Sequence, residues 1–228
     1  TVPTGLLPNE DQGYILACQS VPQSDLRIEV SLPEHAARRR VSGHVTAQTK
    51  LTHDITRLDV QLDKALDYAA GQFADISIDA LPGISRSYSF ATPAQPDGQV
   101  SFFVRKVPGG VFSTAVNEQD FVGQPMQVDG PSGNFWLRAS DAPMLLLAGG
   151  SGLAPILALL QDALAKGVTR STTLLFGART EADLYALDEI ESIAHRWQGD
   201  FRFIPILSDC SSGDDRAGRV AIVLRRPA

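Results

Sequence analysis

Hydrophobic and polar residues alternate in short runs through the middle of the chain, from residue 40 to about residue 137. Alternation with a period of two predicts β-strands, because successive side chains of a strand point to opposite faces. The strand candidates are 41–47, 58–62, 76–78 and 100–107, and residues 58–62 follow the period of two. Because Gly, Pro and Asp separate these runs, this part of the chain favours an antiparallel barrel or sandwich.

The pattern changes after Pro143, where residues 144–148 form a continuous apolar run. Such a run predicts a parallel strand that is buried on both faces. A glycine-rich turn then leads into a predicted helix over about 154–166, which Gly167 should end. Later runs predict a second strand, a second helix and a third strand, at 172–176, 181–197 and 201–207. This order of strands and helices predicts a parallel sheet with right-handed crossovers.

The two ends of the chain fit neither pattern. Residues 1–35 hold one short apolar stretch and one alternating run, which is too little for a hydrophobic core of their own. After residue 207, a turn-rich stretch precedes one more apolar run at 220–224. A doubly wound sheet has about five or six strands. We therefore expect the second domain to be incomplete at its carboxyl end, with the domain boundary near 138–142.

Composition narrows the class of protein. The 228 residues include 20 Lys and Arg against 26 Asp and Glu, giving a formal net charge of −6. This acidic balance provides no electrostatic footprint for nucleic acid. The two cysteines, Cys18 and Cys210, form neither a disulfide framework nor a closed zinc site. No apolar run approaches the roughly 20 residues that span a bilayer, and the amino terminus has no secretion signal. We expect a cytoplasmic protein without a nucleic-acid or membrane partner.

Two segments of the strand-rich region carry groups suited to a phosphate-bearing ligand. Arg86 to Ser89 combine a guanidinium, a flat tyrosine ring and a small hydroxyl. Gly109 and Gly110 precede a helix that we expect to begin near Ser113, whose hydroxyl would cap a helix start suited to a pyrophosphate. Taken singly, the first segment also fits an exposed strand edge, and the second fits an ordinary capped helix after a hairpin.

A third segment, residues 149–155, joins the first parallel strand to its helix. Its glycines would let the backbone approach a ligand, and the helix start would attract a phosphate. However, the segment has the form G-x-G-x-x-P, and no acidic residue ends the second strand, so it departs from the dinucleotide-binding fingerprint. By itself it also fits a tight turn that needs glycine.

The order of these three segments along the chain resembles that of the ferredoxin–NADP reductase superfamily. The segments are Arg86-Ser-Tyr-Ser, Gly110-Val-Phe-Ser and Gly149-Gly-Ser-Gly-Leu-Ala-Pro. Over about residues 12 to 221, the chain looks most like the reductase components of bacterial aromatic-ring-hydroxylating dioxygenases of the naphthalene type. The resemblance implies an α+β/α/β two-domain fold. A six-stranded antiparallel Greek-key barrel would bind FAD over residues 36–138. A doubly wound parallel-sheet domain would bind the nicotinamide nucleotide over residues 139–228.

The resemblance also implies site residues in the barrel. Arg86 would contact the FAD pyrophosphate, Tyr88 would pack on the isoalloxazine, and Ser89 would lie by flavin N5, so Tyr88 and Ser89 are the predicted catalytic residues. Gly110 and Ser113 would hold the pyrophosphate at the helix start. The other predicted FAD contacts are Ser87, Val104, Arg105, Lys106, Val107 and Gly109. Residues 71–73 match the strand that begins the family's flavin pocket.

On the second domain, the resemblance implies two groups of nucleotide contacts. The nicotinamide and its pyrophosphate would meet Gly149, Gly150, Ser151, Gly152 and Pro155. The adenosine ribose would lie near Gly177, Arg179, Asp183 and Tyr185. Arg179 would suit a 2′-phosphate equally well, so NADH is preferred and NADPH stays open. Hydride would pass from the nicotinamide to the flavin, and single electrons would then leave to a ferredoxin or a terminal oxygenase component.

Two features depart from that family. Residues 1–35 match the carboxyl-terminal remnant of a plant-type [2Fe–2S] domain, in which Cys18 would be a ligand only if the rest of the domain were present. Such a cluster takes four cysteines, so this chain alone would not assemble it. The family's Cys-Gly strand beside the nicotinamide has no match, and Cys210 does not replace it. The alternative is therefore a flavin-binding electron-relay or regulatory fragment without productive nicotinamide binding.

Overall fold

The computed structural model describes residues 37–208, which contain nine strands and three α-helices. The predicted features at 1–36 and 209–228, including Cys18 and Cys210, lie outside the described residues. In chain order, the elements are β1 Arg39–Lys50, β2 Ile55–Leu62, β3 Phe73–Ile78, β4 Arg86–Ser89, β5 Gln99–Arg105, α1 Val111–Glu118, β6 Pro125–Ser132, β7 Met144–Gly149, α2 Leu153–Ala165, β8 Thr172–Ala178, α3 Leu187–Arg196 and β9 Phe201–Leu207. None of the described helices is both long and apolar enough to cross a bilayer.

Strands β1 to β6 form one antiparallel sheet, which we call the barrel. The strand order is β4-β3-β6-β1-β2-β5. Just after β4, Phe90 pairs with Phe102 of β5, and this isolated bridge links the two edges of the sheet. Buried residues alternate with half-buried residues along β3 and most of β2, as the period of two predicts, whereas residues 100–104 of β5 are all buried. The six-stranded antiparallel architecture is therefore confirmed.

Strands β7, β8 and β9 form a parallel sheet in that order, which with α2 and α3 makes up the second lobe. Helix α2 ends as the sequence predicts, because Gly167 adopts a left-handed conformation with φ of 68°. The amide of Gly167 donates to the carbonyl of Leu164, and that of Val168 donates to Ala163. These two bonds form a Schellman motif, which satisfies carbonyls at the helix end.

The prediction that residues 144–148 are buried on both faces is wrong. Met144 is buried, but Leu145 and Leu147 have relative exposures of 64% and 65%. Both crossovers of the sheet run in the same direction, so α2 and α3 lie on the same face. Within residues 37–208, no element covers the opposite face at β7.

The predicted single helix over 181–197 is also wrong in its first turn. Glu181–Asp183 form a short 3₁₀ turn, closed by reciprocal hydrogen bonds between Thr180 and Asp183. Ala186 then adopts a left-handed conformation with φ of 56°, and α3 begins at Leu187. The change of direction at Ala186 places Tyr185 in the core, where its side chain is 4% exposed.

The barrel has a hydrophobic core of its own, and the core of the second lobe also takes in a few residues of the barrel. Ile55 and Phe103 of the barrel belong to the same cluster as Leu153 and Tyr185 of the second lobe. The ring of Phe103 meets the ring of Tyr185 edge-on, with 5.7 Å between centroids. Burial of such apolar surface fixes the end of β5 against the second lobe.

Candidate functional site

Strand β4 carries the four residues predicted to hold the flavin. Arg86 is exposed, and its guanidinium donates only to the carbonyl of Ser85 among residues 37–208. The hydroxyl of Ser87 instead donates to Asp75 at 2.5 Å, within the β3–β4 pair. Tyr88 and Ser89 are half-buried. Since side chains of a strand alternate, Arg86 and Tyr88 share one face of β4, and Ser87 and Ser89 share the other.

Tyr88 joins β4 to helix α1. Its ring lies 5.7 Å from the ring of Phe112, between centroids. Burial raises the pKa of Tyr88 to about 12, so its hydroxyl stays protonated at neutral pH. The strand that bears Arg86 is thereby held beside the amino-terminal end of α1.

The start of α1 differs from the sequence prediction. The helix begins at Val111 with Gly110 as its N-cap residue, so the prediction that Ser113 caps the helix is wrong. Ser113 is the third helical residue, and its hydroxyl accepts a hydrogen bond from the amide of Val107 at 3.1 Å. A Cβ atom on Gly110 would lie 2.6 Å from the Ser113 hydroxyl, which explains why glycine stands there. Ser113 thus closes the loop before the helix.

The loop between β5 and α1 is tied to the β1–β2 hairpin at its first residues. Val104 is fully buried. The side chain of Arg105 pairs with Asp54 at 2.9 Å, and the amide of Lys106 donates to the Asp54 carbonyl at 2.7 Å. Val107 is 54% exposed. The segment therefore presents an ordered backbone with an apolar side chain at its rim.

These features fit a flavin nucleotide with an anionic pyrophosphate. No side chain caps α1, and its first turn contains no acidic residue, so the amides and the positive end of the helix dipole are available to an anion. Arg86 offers a guanidinium without a carboxylate partner among the described residues. Val107 and Val111, exposed by 54% and 59%, give the same loop an apolar lip suited to an aromatic ring system.

The second part of the site is the turn between β7 and α2. Gly149 is extended, Gly150 has φ of 51°, and residues 150–152 form a 3₁₀ turn that leads into α2. Neither a side-chain cap nor an acidic residue occupies the start of this 13-residue helix. A Cβ atom on Gly152 would meet nothing within 4 Å. Ser151 and Pro155 are half-buried on either side of Gly152. The turn thus offers a nucleotide phosphate open space at Gly152 and the positive end of the α2 dipole.

Gly150 lies where the two lobes meet. Its carbonyl accepts a hydrogen bond from the Tyr185 hydroxyl at 2.8 Å. A Cβ atom at Gly150 would lie 3.0 Å from Nη1 of Arg105 in the barrel. The loop predicted to hold the flavin and the turn predicted to hold the nicotinamide are therefore in direct contact.

The residues predicted to lie near the adenosine ribose are largely engaged with each other and with the barrel. Arg179 donates to Nε2 of His53 at 3.1 Å and lies 3.8 Å from Asp54 and 3.7 Å from Asp183. Nδ1 of His53 lies 3.2 Å from Asp183. Because arginine can only donate, Nε2 of His53 accepts, and Nδ1 carries the proton directed at Asp183. Gly177, at the end of β8, pairs with Gly149.

Asp54 is the centre of this interlobe network, which consists of His53, Asp54, Arg105, Arg179 and Asp183. Burial favours a raised pKa for Asp54, but the hydrogen bonds from Arg105 and Thr52 outweigh it, and the pKa lies below its ordinary value. The oxygens and nitrogens of His53, Asp54 and Asp183 lie within 4.8 Å of one another. Two guanidinium groups already balance the two carboxylates, so the cluster needs no metal ion. Neither His53 nor Asp54 belongs to a sequence motif that indicates chemistry.

Gln72 is a second residue whose role the sequence did not reveal. Its side-chain oxygen accepts from the amide of Ala69, and its side-chain nitrogen donates to the carbonyl of Gly133, both at 2.8 Å. A Cβ atom on Gly71 would lie 2.4 Å from the carbonyl oxygen of Phe135. The segment 71–73, predicted to begin the flavin pocket, thus holds the chain that leaves the barrel.

Comparison with known families matches both parts of this site. Residues 42–136 match the oxidoreductase FAD-binding domain, and residues 146–226 match the oxidoreductase NAD-binding domain. The chain belongs to the ferredoxin–NADP reductase-like family of FAD- and NAD-binding oxidoreductases. The family resemblance, the fold of the barrel and the parallel-sheet lobe are thereby confirmed.

Several curated relatives of this reductase-like chain serve oxygenases. The xylene/toluene monooxygenase electron transfer component of Pseudomonas putida is 42% identical over 213 residues, covering 92% of this chain and 61% of the relative. The ferredoxin–NAD(P)⁺ reductase component of the naphthalene 1,2-dioxygenase system of Pseudomonas putida is 39% identical over 190 residues, covering 81% of this chain and 56% of the relative. The chain thus spans less than two thirds of the length of these proteins.

Solved structures of other reductases superimpose on this chain. The Amycolatopsis cytochrome P450 reductase GcoB superimposes with a TM-score of 0.74 at 32% identity, covering 93% of this chain and 66% of that chain. The ferredoxin reductase in carbazole 1,9a-dioxygenase superimposes with a TM-score of 0.69 at 27% identity, covering 89% and 62%. The roles of individual residues in the reductase site remain predictions.

Proposed function

We propose that this chain forms the FAD- and nicotinamide-binding part of a reductase that delivers electrons from NAD(P)H to an oxygenase of aromatic compounds. The observation that carries the proposal is the contact between Arg105 and Gly150. Transfer of a hydride requires the two reacting atoms to come within roughly 3–3.5 Å. The closeness of Arg105 and Gly150 supports the proposal, because it brings the loop proposed for the flavin next to the turn proposed for the nicotinamide.

The residues of the chain would bind and orient the flavin and the nicotinamide nucleotide, while the flavin would supply the redox chemistry. FAD, when bound, accepts hydride from a nicotinamide and releases electrons singly. Arg86 and the start of α1 would hold its pyrophosphate, and the ring of Tyr88 would support its isoalloxazine. The turn at Gly149–Gly152 and the start of α2 would hold the nicotinamide nucleotide. No side chain is required to act as an acid or a base.

The electron acceptor is proposed from the relatives. A monooxygenase component and a dioxygenase component match at similar identity, 42% and 39%. We infer an iron–sulfur acceptor that serves an aromatic-ring oxygenase, with a dioxygenase of the naphthalene type as the specific candidate. NADH is the proposed donor, because Arg179 is held by Asp183 and His53 rather than presented to a 2′-phosphate.

Steady-state reduction of acceptors tests this function. The FAD-loaded protein should oxidise NADH with ferricyanide as the acceptor, more efficiently than it oxidises NADPH. It should also reduce an added [2Fe–2S] ferredoxin from a dioxygenase system, with a ferredoxin from a monooxygenase system as the comparison. A flavin-loaded protein that oxidises neither nucleotide would contradict the proposal and favour a flavin-binding relay fragment.

A further inference from the structure

Tyr185 occupies a position between the two proposed cofactor sites that its predicted ribose contact does not explain. Its side chain is 4% exposed. Its ring meets Phe176 of β8 edge-on at 5.5 Å and Phe103 of β5 edge-on at 5.7 Å, between centroids. Edge-to-face packing of this kind defines the ring orientation. Tyr185 therefore connects the barrel strand that leads to Arg105 with the centre of the second lobe.

Among residues 37–208, the hydroxyl of Tyr185 has one hydrogen-bond partner. It donates to the carbonyl oxygen of Gly150 at 2.8 Å. Burial raises the pKa of Tyr185, so the hydroxyl stays a donor throughout the physiological range. The same carbonyl also accepts a bond from the amide of Leu153, which closes the 3₁₀ turn.

The direction of the Gly150 carbonyl determines the direction of the next amide. A trans peptide is planar, so its carbonyl and its N–H point to opposite sides. With the Gly150 carbonyl directed at Tyr185 in the core, the amide of Ser151 is directed away from the core. This is the side on which the start of α2 would meet a nucleotide.

We propose that Tyr185 is a positioning residue for the nicotinamide nucleotide: by holding the Gly150 carbonyl it fixes the Ser151 amide and the whole Gly149–Gly152 turn against the end of β5. This inference rests on the proposed function and adds a residue to it. Because a displacement of about 1 Å can slow a reaction roughly 100-fold, loss of this hydrogen bond should affect the rate of hydride transfer more than nucleotide binding.

Tyr185→Phe tests the proposal, because it removes the hydroxyl and keeps the ring packing. The Gly150 carbonyl keeps its bond from Leu153, so the variant should fold and bind FAD. We expect flavin reduction at saturating NADH to slow about 10- to 100-fold, with less than a threefold change in the Kd for NADH. In the protein without nucleotide, amide hydrogen exchange over residues 149–153 should increase.

Tyr68→Phe is the matched control. The hydroxyl of Tyr68 also donates to a backbone carbonyl, that of Thr92, at 2.9 Å, and its ring stacks on Phe90 inside the barrel. This variant should leave both the reduction rate and the exchange over residues 149–153 unchanged. A Tyr185→Phe protein that matches Tyr68→Phe in both measurements would overturn the proposal.

The exchange measurement separates this inference from the proposed function. If the wild-type flavin is not reduced by NADH, the proposed function fails, and hydrogen exchange alone decides the role of Tyr185. Faster exchange over residues 149–153 in Tyr185→Phe would then still support its hold on the turn, and unchanged exchange would overturn it.

Discussion

Nη1 of Arg105 lies 3.0 Å from the place that a Cβ atom on Gly150 would occupy. Gly150 also has φ of 51°, a left-handed conformation that costs other residues roughly 1–2 kcal/mol. Gly150→Ala should therefore lower the free energy of unfolding by about 1–2 kcal/mol and displace the Arg105 side chain. Urea unfolding followed by circular dichroism measures this loss.

Gly152→Ala is the informative comparison for that variant. Gly152 has φ of −66°, and a Cβ atom there would meet nothing within 4 Å. The free energy of unfolding should stay the same or rise by a few tenths of a kcal/mol. The added methyl group should nevertheless weaken NADH binding, because it would project into the proposed nucleotide cradle. Equal stability losses in the two variants would refute this account of the turn.

Asp54→Asn should weaken the interlobe network. The Asp54 side chain is 17% exposed and pairs with Arg105 at 2.9 Å, with Arg179 3.8 Å away. Removing its charge leaves two guanidinium groups without that partner, and hydrogen bonds to charged groups contribute about 1.5–3 kcal/mol. We expect a loss of about 2 kcal/mol in the free energy of unfolding. Asp162→Asn, which removes an exposed ion pair with Lys166 at the carboxyl end of α2, should cost at most about 0.5 kcal/mol.

Glu189 should make stability depend on pH in the opposite sense from the paired aspartates. Burial raises the pKa of Glu189, although the charge of Arg57 partly opposes this. A raised pKa means that the folded protein binds the proton more tightly than the unfolded chain, so Glu189 costs stability as pH rises through its folded pKa.

Glu189→Gln should therefore raise the free energy of unfolding at pH 7 by about 1 kcal/mol, and the gain should vanish below about pH 4, where the unfolded glutamate is also protonated. Urea unfolding at both pH values provides the measurement. Glu191→Gln, at an exposed position of the same helix, is the control. A gain that is equal at pH 4 and pH 7 would exclude burial of charge as its cause.

Arg86→Ala should affect FAD binding far more than folding. Arg86 is exposed and donates only to the Ser85 carbonyl among the described residues, so its removal breaks no ion pair there. Charge-assisted hydrogen bonds to a phosphate contribute about 1.5–3 kcal/mol, which corresponds to a roughly 10- to 100-fold weaker Kd. Fluorescence titration of the FAD-free protein measures this Kd. Arg40→Ala, another exposed arginine of the barrel, should leave it unchanged.

The sequence predicted those parts of the fold that local patterns determine. The apolar run from Met144, the glycine turn and the Gly167 helix end are all local signals, and the structure contains each of them. The exposure of Leu145 and Leu147 was not predictable, because a strand's own residues do not specify which faces other elements cover.

In the candidate site, too, local motifs were predictable from the sequence and contacts between distant segments were not. The motifs at Arg86 and Gly149 were recognisable by their order along the chain, and they identified the family. Ser113 was misplaced because the side chain that closes a loop can stand three residues inside the helix. His53 and Asp54 lie in a short hairpin without any motif, and only the fold brings them to Arg179 and Asp183.

The most direct test of the account is the visible absorption spectrum of the FAD-loaded protein before and after NADH is added without oxygen. The account predicts flavin absorption bands that NADH bleaches, because the two proposed cofactor sites meet at Arg105 and Gly150. A folded protein that takes up no FAD would contradict the barrel site. A yellow protein whose absorption spectrum NADH leaves unchanged would contradict the claim that the flavin and nicotinamide sites meet.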